Sequence, residues 1–409
     1  MLLKYMKLII RSVIISMLLV APSNADIYSD VLRQKIAKFG YEKPTVLENK
    51  FDPDLAAIGA KLFENESLSF NSNISCKSCH LDEFSSADGL PNAVGVGGVG
   101  SGIKRLQSDG LIVPRNVLPL WGRGIEGFDV LFWDGKVEKT AKGIISQFQD
   151  GAPSNDPLVV AAHLPLVEIR EMVVDTPDVN DEFKKEKVEA GYALLNKIIR
   201  REQNSSDMLE LASHFGIEPS KLTNLHLGEA LAAHIRNKFQ LKTTTLNQFM
   251  EQKVELDTQQ IQGGLLFYGK GRCIKCHNGP VFSDLTFHAI AFPQIGFGKN
   301  GFGIDYGRFN VTDNASDLYK FRTPPLIEVA NTAPYGHSGS LFRLGDAIKA
   351  HFDPLSLVNI KDYEPLERVT FFHLLQKSNS QIQIPFLDEK EIIAIEKFLE
   401  TLSFSENVK

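Results

Sequence analysis

Two five-residue stretches, Cys76-Lys77-Ser78-Cys79-His80 and Cys273-Ile274-Lys275-Cys276-His277, use all 4 cysteines of this chain. Each places two thiols three positions apart and an imidazole directly after the second, so that in a helical turn both sulfurs and the ring meet one face. An even cysteine count in an exported chain ordinarily suggests disulfides, but a two-residue gap is poor spacing for structural bridges. C-x-x-C-H is instead the attachment sequence of a c-type haem: the thiols add to the two vinyl groups of the porphyrin, and the histidine is held beneath the iron as an axial ligand. A redox dithiol or a zinc site would need further ligands or contexts that these stretches do not supply.

The surroundings of the two motifs are alike, Gly59-Ala60-Lys61-Leu62-Phe63 before the first and Gly263-Gly264-Leu265-Leu266-Phe267 before the second. This reads as an internal duplication in which a short amphipathic helix brings a Leu-Phe pair to the porphyrin edge, followed by a turn and the attachment site. The fold expected is mostly α, with two cytochrome c-like haem domains and long loops, over residues 26–256 and 257–409. Helical spacing of apolar residues marks 188–202 and 227–239. A last helix starts near Asp388-Glu389-Lys390-Glu391, with acidic residues in its first turn and Ile392, Ile393, Ile395 and Phe398 as its apolar positions. Residues 95–102 read as a glycine-rich loop, Trp133 to Lys136 as a turn, and 241–256 as a polar connection.

The first 25 residues read as a signal peptide: Lys4, Lys7 and Arg11, an apolar run from Ser12 to Ala21, and small residues for cleavage near Ala25. The run is too short to span a bilayer, so the mature chain is expected in the periplasm, with no membrane insertion. An uncleaved anchor is the alternative. Cleavage removes three positive charges and no acidic ones, taking the net charge from −6 to −9. That balance argues against a nucleic-acid partner and favours encounter with a basic soluble one, although it also serves solubility alone.

Beyond the attachment motifs, nearly the whole mature chain resembles the bacterial dihaem cytochrome c peroxidases, including the relatives that mature the quinone cofactor of methylamine dehydrogenase. The matching pieces are Leu62-Phe63, Pro114-Arg115-Asn116, Phe132-Trp133-Asp134-Gly135, Glu171-Met172, Phe282-Ser283-Asp284 with Phe287-His288, Thr323-Pro324-Pro325-Leu326, and Thr332-Ala333-Pro334-Tyr335-Gly336-His337-Ser338-Gly339. The resemblance implies a peroxide-reacting first haem and a second haem that accepts electrons from outside. It makes His80 and His277 the proximal ligands and Trp133 the residue between the haems. Glu171 becomes the carboxylate above the reactive iron, with Glu168 as competitor, and Asn116, Thr332 and Pro334 become ligands of a calcium ion. Within the same motifs, His288 and His337 would orient haem propionates or neighbouring groups, whereas His163, His214, His226, His234 and His373 read as ordinary core or surface residues.

Two departures from the family pattern bear on chemistry. Many members carry a removable histidine ligand upstream of the Arg-Asn pair, where this chain reads Leu106-Gln107-Ser108-Asp109-Gly110, so the first iron is expected to be five-coordinate without reductive activation. Where classical members place an axial methionine, this chain has His351, on one helical face with Leu344 and Ile348. Imidazole in place of thioether lowers the expected potential of the second haem. Three functions remain open at this point. The chain could reduce hydrogen peroxide to water with electrons from a small c-type cytochrome or similar donor, oxidise a side chain of a partner protein, or act as a non-enzymatic dihaem electron carrier. Pairing into a homodimer, as in many relatives, is also open.

Overall fold

The computed structural model describes residues 24–41, 50–177, 188–381 and 384–405. The expected signal peptide lies outside them, apart from Asn24 and Ala25, which begin a helix running from Asn24 to Lys38. The chain is mostly helical, with strands of only two to four residues. Among the described residues no helix is long and apolar enough to cross a membrane.

The repeat is visible as two helix pairs. In the first, Pro53–Glu64 packs on Asn224–Lys238, and in the second, Thr258–Phe267 packs on Glu389–Glu400. Each pair crosses at a glycine. A Cβ added at Gly59 would strike the carbonyl of Ala230 and the Cβ of His234, and one added at Gly263 would strike the carbonyl of Ala394 and the Cβ of Phe398. The same glycine thus meets the same i, i+4 pair of partner positions in both copies, and only a residue without a side chain lets the backbones approach so closely. Local signals start these helices: Asp52 caps the first ahead of Pro53, and Asp257 with Gln260 and Asp388 with Glu391 form capping boxes.

Two large hydrophobic cores follow from the pairs. One gathers Leu62, Phe63, Ile74, Leu231 and Phe239, and the other Phe267, Ile392, Ile395 and Phe398. Burying side chains of this size stabilises by about 1.5–3 kcal/mol each. The cores do not divide the chain at 256. Leu32 and Ile36 of the first helix, together with Leu246, Phe249 and Leu256, all pack in the second core. Residues 241–256, expected as a polar connection, contain a helix from Thr245 to Met250, because Thr244 and Asn247 cap it and Leu246 and Phe249 give it a buried face. Trp121 and Leu241 touch both cores.

The loops between helices are tied by short antiparallel pairings. Val130–Leu131, Val137–Thr140 and Gly143–Ile145 form a three-stranded sheet whose first connection carries Trp133 to Lys136. Phe287–His288 pairs with Phe321–Arg322. The glycine-rich loop is clamped by the buried Arg105, which donates to the carbonyls of Val94 at 2.7 Å, Gly98 at 2.8 Å and Gly95 at 3.1 Å.

Candidate functional site

Both attachment motifs adopt the same tight turn. Cys76–Ser78 and Cys273–Lys275 are single 3-10 turns, and the histidine that follows donates its backbone N–H to the first cysteine, His80 to Cys76 at 3.0 Å and His277 to Cys273 at 2.9 Å. Both sulfurs and the ring are thereby gathered on one side. None of the four cysteines is in a disulfide, and burial pushes the thiols of Cys76 and Cys273 up to about 12.

Each ring is oriented through its back nitrogen. His80 Nδ1 donates to the carbonyl of Ser86 at 2.8 Å, His277 Nδ1 to that of Phe282 at 3.1 Å, and His351 Nδ1 to that of Ala347 at 2.8 Å. A carbonyl can only accept, so Nδ1 carries the proton and Nε2 keeps its lone pair, the arrangement that presets an imidazole as a metal ligand. Burial lowers the pKa of all three, to about 4 for His80 and His277, so the rings are neutral at physiological pH.

His277 and His351 line one apolar cavity of about 440 Å³, with Trp133, Phe267, Phe292 and Tyr335 also on its walls. Their ring centroids are 6.4 Å apart. With a metal–nitrogen bond of about 2 Å on each side and roughly 1 Å from nitrogen to ring centre, two imidazoles gripping one ion stand about 6 Å apart. The cavity volume lies within the range of about 300–1,000 Å³ typical of cofactor sites. Arg322 belongs to its lining, and the buried Nη2 of that guanidinium has no protein partner. Thiols, facing imidazoles, an apolar slot and an orphaned cation together fit a haem with its carboxylates.

The surroundings of His80 differ. Its ring neighbour is Phe63, at 6.1 Å between centroids. Glu171 lies close enough to Cys76 and Cys79 for its charge to oppose ionisation of both thiols. It is delivered there by the glycine-rich loop: Val96 N–H donates to the carbonyl of Arg170 at 3.0 Å, and a Cβ at Gly95 would collide with that carbonyl. Arg170 itself sits at φ +73°, a strained conformation beside the candidate residue.

Glu171 and Glu168 have opposite electrostatics. Burial raises the pKa of Glu171, only partly offset by Lys136 and reinforced by the charge of Glu168. Burial works on Glu168 in the same direction, but Lys136, at 2.6 Å, and Lys299 outweigh it and hold the group at about 2. One carboxyl is therefore a fixed anion, and the other is poised to exchange a proton.

Trp133 is 8% exposed and donates from Nε1 to the carbonyl of Asn116 at 2.9 Å. Asn116, Thr332 and Pro334 converge on the same cavity wall, with Asn116 Nδ2 donating to the carbonyls of Pro334 at 2.7 Å and Gly336 at 3.4 Å. Asp284 and His288 form an ion pair at 2.9 Å and, with Cys276, bring three ligand atoms within 4.8 Å of one another. Cys276 is the second thiol of its motif, so a separate metal there would compete with haem attachment. His337 stacks on Phe321 at 3.8 Å and bonds Gln294 at 2.7 Å, while His163 is buried with both nitrogens on carbonyls, those of Val159 and Asn224. Sequence reasoning missed Trp121, which touches both cores, and the buried arginines 105, 115, 123 and 322. Arg115 and Arg322 have partners 190 residues away, and Arg105 and Arg123 bond irregular backbone carbonyls nearby, so no periodic pattern announces them.

Comparison with known proteins agrees with this geometry. The model of the di-haem cytochrome c peroxidase family matches residues 53–255. The cytochrome c551 peroxidase of Pseudomonas aeruginosa is 26% identical over 81% of either chain, and the methylamine utilization protein MauG of Methylorubrum extorquens is 25% identical over 83% of either chain. Among solved structures, the diheme peroxidase BthA from Burkholderia thailandensis shares the fold with a TM-score of 0.64 at 19% identity, covering 90% of both chains. A MauG-like protein associated with microbial copper homeostasis gives a TM-score of 0.62 at 22% identity, over 87% of this chain and 91% of that one. With a pair of attachment turns, preset imidazoles and a cofactor-sized cavity, the chain belongs to the di-haem cytochrome c peroxidase family and is an oxidoreductase of that kind.

Proposed function

We propose that the protein is an exported di-haem peroxidase that reduces hydrogen peroxide to water with two electrons from a small c-type cytochrome or similar donor. The observation that carries this reading is the inequality of the two sites. His277 faces a second imidazole across its cavity, whereas the ring neighbour of His80 is a phenyl, and the thiols of its motif feel the charge of Glu171, a carboxyl whose proton affinity contrasts with that of its neighbour Glu168. Cys76, Cys79 and His80 would hold the first haem and Cys273, Cys276, His277 and His351 the second, each covalently. When bound, the haems supply one-electron redox couples and, at His80, an open coordination position for peroxide.

The chain's own residues do the rest. His80 offers a neutral nitrogen fixed by Ser86, and Glu171 accepts the proton of incoming peroxide and returns it to the departing oxygen. Burial, opposed by Lys136 and reinforced by Glu168, sets the affinity of Glu171 for that proton. Trp133, held by Asn116 on the wall of the second cavity, offers a polarisable side chain between the sites. Asn116 and the carbonyls of Thr332 and Pro334 are the candidate calcium ligands. An Asn116 amide turned over would present Oδ1 beside the Pro334 oxygen, in keeping with the all-oxygen shells of that ion. The two hydrophobic cores support a pair of haem domains, with residues 24–38 and the 245–250 helix assigned to the second.

The test is steady-state consumption of peroxide by the holoprotein with a reduced cytochrome, together with spin-state spectroscopy before and after peroxide. Turnover with a five-coordinate first haem supports the proposal, and two six-coordinate haems indifferent to peroxide would reduce the protein to an electron carrier. A second reading is favoured by the imidazole at 351, where classical members have methionine, and by the MauG-type relatives. The same oxidising power would then be directed at a side chain of a partner protein. A first haem that reacts with peroxide but gives negligible turnover with cytochrome selects it.

A further inference from the structure

Two buried arginines, Arg322 and Arg123, each keep one guanidinium nitrogen without a protein partner. Arg322 is 1% exposed and Arg123 is 4% exposed. Both lie against the ring of Phe128, with guanidinium carbons 5.4 and 5.0 Å from its centroid. Arg322 donates from Nε to the carbonyl of Phe132 at 3.0 Å and from Nη1 to that of Thr323 at 3.2 Å, and Arg123 donates from Nε to that of Pro119 at 2.9 Å. Nη2 of each is buried without a protein partner, and among the described residues neither guanidinium has a carboxylate within ion-pair distance. The acid whose charge reaches Arg322, Asp284, is already engaged by His288 and Thr286.

Buried charges in folded proteins are paired, and two cations sharing one ring without a counter-charge repel each other. Burial pushes Arg123 down to about 9, and burial plus the neighbouring Arg123 depresses Arg322 well below its ordinary value. An anion of the right shape would remove this penalty, and a guanidinium with a free edge matches a carboxylate. Position says which anion. Arg322 is part of the wall of the His277–His351 cavity. Arg123 sits on the turn whose Leu120 N–H donates to Ser86 Oγ at 2.8 Å, and the carbonyl of that same Ser86 holds His80.

We propose that Arg322 and Arg123 form a shared, buried carboxylate receptor for the propionates of the two haems, Arg322 for the haem of the His277 cavity and Arg123 for the haem on His80. They are positioning residues, and they tune the haems: a fixed positive charge beside an iron favours its reduced state. The inference rests on the di-haem reading, and its test separates the two. Intact mass of the exported holoprotein first shows whether two haems are attached, and a chain without haem overturns the di-haem reading itself. In loaded protein, spectroelectrochemical titration reads each midpoint potential. Arg322→Gln is expected to lower the potential of the bis-histidine haem more than that of its partner, Arg123→Gln to do the reverse, and Arg322→Lys to restore the wild-type value. Unchanged potentials in loaded Arg322→Gln and Arg123→Gln overturn the receptor. Should Arg322→Gln fail to load haem, Arg322→Lys decides: loading with the wild-type potential supports a role for the charge, and the same failure overturns it.

Discussion

Arg115 grips both carboxylate oxygens of Asp305, at 2.8 and 2.9 Å, across 190 residues of chain, and reaches Asp134 with its remaining nitrogen at 2.6 Å. All three side chains are buried. Burial works against ionisation of Asp305, but Arg115 outweighs it and holds the carboxyl below its ordinary value of 3.8, while Arg115 itself is pushed up by the two acids against the pull of burial. Replacing Asp305 leaves Arg115 paired with Asp134 but strips its two charge-assisted hydrogen bonds to the lost carboxylate, at a cost of about 1.5–3 kcal/mol. Asp305→Asn should therefore lower the denaturation midpoint markedly in urea. Because the folded pKa of Asp305 is depressed, its contribution is present above the unfolded value and disappears as pH falls through the folded one. The gap between wild type and variant should be full at neutral pH and close in acid, as parallel urea titrations at several pH values would show.

The glycines at the two helix crossings predict a symmetrical defect. Gly59→Ala and Gly263→Ala each drive a methyl into a partner carbonyl, and overpacking of this kind costs about 1–3 kcal/mol. Gly151→Ala meets nothing closer than 3.6 Å and should stay within about 0.5 kcal/mol of wild type. Thermal unfolding of the three variants, read with the haem content of each, checks the claim. A tolerant Gly263→Ala would mean that the helices are not pressed together as described.

What was legible in the sequence was local. The two attachment turns, the helix before each, and the capping box at Asp388 follow from spacing and cap chemistry within a few residues. The short helix at Thr245–Met250 was hidden because its buried apolar residues are Leu246 and Phe249 alone, beside the buried polar Asn247, too few for periodicity to register. The packing of residues 24–38 against the second core, the Arg115 group and the placement of Arg322 depend on contacts across one or two hundred residues, for which a single sequence carries no local mark. The glycine repeat lies between. The sequence shows two matched glycines, but only the folded chain shows that both meet an alanine carbonyl.

Opposite His277, the identity of residue 351 should set the second haem's behaviour. His351→Ala removes the facing imidazole and is expected to convert the low-spin second haem to high spin in electron paramagnetic resonance. His351→Met supplies a thioether, which favours reduced iron, and should raise the midpoint potential while keeping the haem low-spin. A second haem unaffected in spin state by His351→Ala would show that another group caps it.

Proton handling at the first site yields the sharpest test, because the charged neighbours of Glu171 push its pKa in opposite directions. As a base it must be ionised to accept the peroxide proton, so kcat/KM should rise with pH through the pKa of Glu171. That pKa is held above its ordinary value of 4.5 by burial, with Lys136 opposing and Glu168 reinforcing. Glu171→Gln should lower kcat/KM by about 10²–10⁴-fold. Glu168→Gln removes a negative neighbour, so Glu171 gives up its proton more readily and the acid limb moves to lower pH. Lys136→Met removes a positive neighbour and moves the limb to higher pH. Opposite displacements in these two variants, with the limb abolished in Glu171→Gln, would assign the proton to Glu171. A limb that stays in place in both, or that persists in Glu171→Gln, would assign it elsewhere.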